Sequence, residues 1–387
     1  FYFQDEEYIL RWFFMVYISA SALFLFQVAK IALSITAIPF LVSLPARTSN
    51  LYGSWTEFGI FASVIGFASL FLFEAARTRF RYALLAVAFL AAALAFAANI
   101  LEVWQVFFAS LIVLFAYLFS VRALSKQFFR PAILFLLLSL FGLQAPTLVA
   151  LVTDRLGTSV VEVRPSFAAT AATTKETLAA YPFFGSGPGT FQYDWMRFRP
   201  REVNQSAYWD VRFVLGSGFL PSFIATVGVA GTLALIFLLG VFLWYGFSAL
   251  MSGGRGRPNT LSVFLFLMAS MIWAYSALSN PGFVLVLYAF IFMGMFLGLR
   301  QAQNTAESYS VRLFANSGVS FVSALLVIAA LLGTISYGYV FAQDYAAAYF
   351  YGKGIVQFNA GSAANAAAAF SRAVRLSPND VYERGLA

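Results

Sequence analysis

The 387-residue chain is 61% hydrophobic and only 10% charged, carries a net charge of +8, and has a mean hydropathy of +0.81. A soluble domain is nearer half apolar and a quarter charged, so lipid must solvate most of this surface. Cysteine and histidine are both absent, which excludes disulfides, thiolate nucleophiles, Cys/His metal centres and a histidine general base. The basic residues are scattered through short loops and form no continuous patch, which excludes a nucleic-acid partner.

Taken in chain order, runs of roughly 20 apolar residues predict nine membrane spans near 9–30, 57–74, 81–99, 103–121, 131–152, 221–248, 260–279, 282–299 and 317–341. Within 81–121, Asn99, Glu102 and Gln105 mark the turn between two spans. Residues 31–44, short and containing Pro39, read as an interfacial or re-entrant piece. The expected fold is therefore all-α: a polytopic transmembrane helix bundle. Residues 1–152 form its N-terminal half, 153–220 a large loop, 221–342 its C-terminal half and 343–387 a helical tail. The chain begins without Met and without a signal-peptide pattern. It is read as a piece of a longer protein, with helices expected before it and repeats after it.

Charge orients the bundle. One set of short loops carries Arg77, Arg79, Arg81, Arg122, Lys126, Arg130, Arg255, Arg257, Arg300 and Arg312; the opposite set carries only Arg47. By the positive-inside rule the first set is cytoplasmic, which leaves 153–220 and the C-terminus extracytoplasmic. Lys30, near the end of the first span, reads as a snorkelling side chain.

The loop holds the longest polar interval, Tyr181 to Arg212. Residues 166–180 predict a helix, with Pro182 just beyond it. Gly185, Gly187 and Gly189 permit a tight turn whose amides face outward as an anion-binding nest, or serve as a plain turn. An extended segment through Pro200 would point Arg197, Arg199 and Arg201 the same way, a phosphate-binding cluster completed by Arg212. The bland reading is a solvated basic loop against lipid headgroups. Arg47, kept outside ahead of Gly53-Ser54-Trp55-Thr56-Glu57, suggests an anionic partner or a snorkelling arginine at a helix end. Glu102 faces the same side and reads as a turn cap.

In the tail, Gly354, Ala366, Phe370, Ala373 and Pro378 fall at the spacing of a tetratricopeptide repeat, although Lys353 and Gln357 depart from its apolar positions. The plainer reading is an Ala-rich helical hairpin.

The run Pro182-Phe183-Phe184-Gly185-Ser186-Gly187-Pro188-Gly189-Thr190-Phe191 resembles the glycine signature of the O-antigen ligase and polymerase family, as do Asn204–Trp209, Thr226–Gly231 and Arg47–Trp55 at their places in the topology. The resemblance covers roughly 40–300. It implies transfer of a glycan from an undecaprenyl-diphosphate carrier, outside the cytoplasmic membrane, to a lipid, glycan or protein acceptor. It implies functional roles for Arg47 and for one of Arg197, Arg199 and Arg201, and it aligns Asn204 with the family's histidine. Asparagine cannot act as a base. Asp194, Glu202 or Asp210 is then the candidate base, or Asn204 only orients the acceptor, or the chain is a repurposed homologue. Neither metal nor cofactor is called for, because arginines can stabilise the leaving diphosphate.

Two other classes compete. A flippase of lipid-linked glycans would need Gly- or Pro-broken helices in matching halves and an acidic residue in mid-span, and the sequence presents neither. A scaffold recruiting a protein partner through its repeats would leave the arginine- and glycine-rich loop without a role.

Overall fold

The computed structural model describes residues 6–34, 46–75, 78–120, 126–160, 163–206, 208–251, 260–302, 317–378 and 380–386. Among these every regular element is a helix. The chain forms two units, one of Phe1–Ser34 with Arg47–Glu307 and one of Ile35–Ala46 with Ser308–Ala387.

The first unit holds eleven of the helices: α1 (Glu6–Leu33), α2 (Trp55–Ala75), α3 (Thr78–Ala98), α4 (Leu101–Ser120), α5 (Lys126–Gln144), α6 (Pro146–Leu156), α7 (Phe167–Ala180), α8 (Phe191–Phe198), α9 (Phe219–Met251), α10 (Thr260–Leu278) and α11 (Gly282–Ala302). Helix α2 is its axis, and α3, α4, α5, α10 and α11 all pack on it. The close approach depends on small residues, which lipid-embedded helices use in place of a hydrophobic driving force. A Cβ on Gly59 would stand 2.8 Å from Ala98. Polar side chains join the helices across the core: Tyr275 donates to the Val103 carbonyl at 3.1 Å and lies 2.8 Å from the Ser63 hydroxyl.

Eight described helices are long and apolar enough to cross a membrane, or nine if one bent pair counts as a span. The eight match eight of the expected spans. The ninth, 131–152, is not straight: α5 and α6 meet at 91° around Ala145, where Pro146 opens α6 and removes an amide the continuing helix would need. The turn inside 81–121 falls where expected, at Asn99, in the left-handed region at φ 49°. The expected interfacial piece 31–44 lies outside the described residues from 35 on, as do Arg77, Arg122, Arg255, Arg257 and Arg312.

The second unit holds α12 (Ser317–Asn359), α13 (Ala363–Leu376) and α14 (Asp380–Leu386). Helix α12 runs 43 residues, without a break at the expected boundary near 342. The composition changes there, but no proline or other breaker stops the helix. Helix α13 packs on the end of α12, where a Cβ on Gly354 would stand 2.5 Å from the Phe370 ring. Ala366, Phe370 and Ala373 are buried, and Tyr351 meets Phe370 and Tyr382.

Candidate functional site

The loop is a folded piece. Ser166 caps α7, its side chain accepting from the Ala169 amide, as an N-cap serine should. Ala169, Phe191, Trp195, Phe213 and Ala225 form a small core of their own, with Trp195 edge-on to Phe213 at 5.2 Å. Its end is stapled to the bundle: the Phe219 amide donates to Ser279 (3.1 Å) and Asn280 Nδ2 to the Gly216 carbonyl (3.0 Å). Its start is held by Arg164, which pairs with Glu102 at 3.3 Å. Glu102, expected as a turn cap, is thus half of the ion pair joining the loop to α4.

The glycine run has a structural purpose that the sequence conceals. Helix α9 is broken at Gly228, whose backbone is at φ 68°, ψ −167°. A break orphans carbonyls below it and amides above it, and each orphan buried away from water costs about 1–3 kcal/mol. The segment 182–187 supplies the missing partners. The amides of Ser186 and Gly187 donate to the carbonyls of Ala225 (3.2 Å) and Thr226 (2.9 Å), while those of Val229 and Ala230 donate to Pro182 (2.9 Å) and Phe183 (3.0 Å). The backbones touch: a Cβ on Gly185 would stand 2.5 Å from the Ala225 oxygen, and one on Gly228 would stand 2.3 Å from the Gly185 nitrogen. Both glycines also need positive φ.

The outward-facing nest expected at Gly185, Gly187 and Gly189 is therefore corrected. The amides of Gly185, Ser186 and Gly187 are all spent on protein carbonyls, that of Gly185 on Tyr181 at 3.2 Å. Only Gly189 has open space around its Cα.

Asp194 is buried, 4% exposed, against this turn. It accepts from the Ser186 hydroxyl at 2.5 Å; Ser186 lies 2.6 Å from the Thr190 hydroxyl, which donates to the Gly187 carbonyl at 2.5 Å. Burial pushes the Asp194 carboxyl above its ordinary value, an effect reduced by the Ser186 hydroxyl and the Arg197 guanidinium. Asp194 holds the turn to α8.

The arginines do not share one extended strand. Arg197 lies in the last turn of α8, Arg199 is extended, and Arg201 opens a 3₁₀ turn over Arg201–Gln205. Helix formation from Phe191 to Phe198 wins because Phe191 and Trp195 fall one turn apart on a buried stripe. Arg197 donates to the Tyr181 hydroxyl at 3.2 Å, and Arg199 donates to the Trp209 carbonyl. The side chains of Arg201, Glu202, Asn204, Asp210 and Arg212 are exposed, without a protein hydrogen-bond or ion-pair partner among the described residues.

Arg47 stands apart from these. Its guanidinium donates to the Leu156 carbonyl (2.8 Å) at the end of α6 and to the Ser34 hydroxyl (3.0 Å). Its carbonyl accepts from Gln27 at 2.9 Å, and Lys30 donates to the Ser49 carbonyl at 2.6 Å. Lys30 thus pins the 47–50 segment and does not snorkel. Ser54 and Glu57 form a reciprocal capping box at the start of α2.

No family model, curated protein or solved structure matches the chain.

Proposed function

We propose that the protein is an integral-membrane glycosyltransferase of the O-antigen ligase type, working on the outer side of the cytoplasmic membrane with its large loop and C-terminus extracytoplasmic. The donor is a glycan on undecaprenyl diphosphate; the acceptor is a lipid A–core, glycan or protein hydroxyl. The observation that carries the reading is the set of side chains left exposed and unpartnered on a braced loop: Arg201, Glu202, Asn204, Asp210 and Arg212. Bracing a polar surface this way orients it in advance, which is what transition-state stabilisation requires.

In the proposed step an acceptor oxygen attacks the anomeric carbon, the carbon–oxygen bond to the diphosphate breaks with inversion, and the diphosphate leaves against Arg201 and Arg212. Guanidinium forks suit phosphate oxygens and make the step metal-independent. The acceptor proton passes to Glu202 or Asp210, the carboxylates a substrate can reach, with Asn204 orienting the acceptor. Asp194 acts as a positioning residue. Arg197 and Arg199 supply further charge while holding Tyr181 and Trp209. Charge alternation along the chain is kept with α5 crossing and α6 lying in the interface. The contact of Gly354 with Phe370 supports the repeat reading of the tail, which adds a docking site for a protein partner.

The flippase reading gains one observation, the breaks in α9 and between α5 and α6. The sequence had concealed both. The backbone groups at the α9 break are, however, occupied by 182–187 and not held open for a substrate.

The test is transfer in vesicles supplied with polyprenyl-diphosphate glycan and acceptor. Transfer that persists in the variant with Arg47, Arg197, Arg199, Arg201 and Arg212 all replaced by Ala, in a chain that still inserts, ends the enzymatic proposal.

A further inference from the structure

The glycine turn ends in a feature that glycan transfer does not use. Phe183 and Phe184, at its tip, are 72% and 80% exposed. Exposing two adjacent phenylalanines to water forfeits several kcal/mol of burial, roughly 1.5–3 for each. On the neighbouring outer face of α8, Tyr193 and Met196 are also exposed, and Arg197 reaches back to Tyr181. Apolar tips beside tyrosine and arginine are the composition of a membrane–water interface.

The position of the tip relative to α9 identifies what covers it. The part of α9 beyond the break, 229–251, is by itself as long as a span, since roughly 20 residues cross the hydrocarbon core. Its outward side chains are apolar and exposed, Leu233, Ile236, Phe237 and Trp244 among them. Its first two amides, Val229 and Ala230, are the groups that bond to Pro182 and Phe183. The tip is therefore tied to the first turn of this apolar segment.

We propose that Phe183 and Phe184 insert into the acyl–headgroup boundary of the phospholipid bilayer beside α9, making the glycine turn a membrane-dipping wedge. Arg197 and Tyr181 lie at headgroup level, where a guanidinium pairs with lipid phosphate. The wedge keeps the rest of the loop facing the membrane surface, and it does not depend on what reaction the loop performs.

The chain has no cysteine, so Phe184→Cys and Phe183→Cys each give a single thiol at an exposed site. Each variant is spin-labelled in vesicles of phosphatidylethanolamine and phosphatidylglycerol, and collision rates with oxygen and with a water-soluble nickel chelate are compared. Glu202→Cys on the exposed 3₁₀ turn is the aqueous reference and Leu233→Cys in α9 the immersed one. The oxygen-to-nickel ratio at 183 and 184 is expected to exceed that at 202 several-fold and to approach that at 233. A ratio no higher than at 202 overturns the proposal. So does dipolar broadening between labels on different molecules, which would show that a second copy, not lipid, covers the tip.

Discussion

The two halves of the stretch 181–212 are built on opposite principles. Residues 181–195 spend their polar groups internally: three consecutive amides go to protein carbonyls and the one carboxylate goes to a serine. Residues 201–212 leave theirs outward, with Arg201, Glu202, Asn204, Asp210 and Arg212 all exposed. The part with the glycine motif is the scaffold, and the part that follows it presents the exposed, unpartnered side chains. A glycine signature can persist because two backbones must touch, without any ligand touching it.

That division can be broken at chosen residues. The largest effect is expected for Gly185→Ala, which combines positive φ with a clash on the Ala225 carbonyl. We expect a loss of roughly 2–5 kcal/mol, seen as a collapse in yield and thermal midpoint. Gly189→Ala has only its φ to strain and should lose about 1–2 kcal/mol; equal losses at the two sites would dissolve the distinction. Next, Arg201→Ala with Arg212→Ala should reduce transfer on the order of 10²-fold and leave the thermal midpoint unmoved, the converse of the glycine variant.

Asp194→Ala removes the buried carboxylate that accepts from the Ser186 hydroxyl and should cost about 1–3 kcal/mol. Asp194→Asn sharpens this through pH. An acid harder to ionise in the folded chain contributes stability that is fully present below its unfolded value, about 3.9, and is lost as pH rises through its folded value. The natural chain should therefore lose stability relative to Asp194→Asn as pH rises from that point, and parallel pH profiles would remove the buried carboxylate from the account. The smallest effect is expected for Glu102→Ala. Its partly exposed ion pair with Arg164 should contribute under about 1 kcal/mol, measurable as faster proteolysis near residue 164.

Hydropathy made the spans legible because lipid imposes one demand on every crossing helix. It could not reveal the two breaks, because Ala145-Pro146 and Gly228 lie inside apolar runs whose average they hardly change. The α8 helix is legible in spacing that the alternating arginines mask: Phe191, Asp194, Trp195 and Phe198 fall at i, i+3, i+4 and i+7. That spacing alone puts Asp194 on the apolar stripe, where it is buried. The alternation of Arg197, Arg199 and Arg201 fits a strand, but the apolar stripe at helical spacing outweighs it. The commitments of Arg47 and Lys30 to backbone carbonyls left no trace in the sequence, since any residue can supply a carbonyl.

The mutual contact of Gly185 and Gly228 also ties closure of the turn to the order of synthesis. The carbonyls and amides that complete the turn at 182–187 belong to residues about 40 positions later, which a ribosome adding about 5–20 residues per second delivers roughly 2–8 s afterwards. Until then the turn has only water for those partners, and the loop's small core lacks Phe213 and Ala225. The turn can therefore close only after the start of α9 has been made, so its folding is coupled to the arrival of that helix.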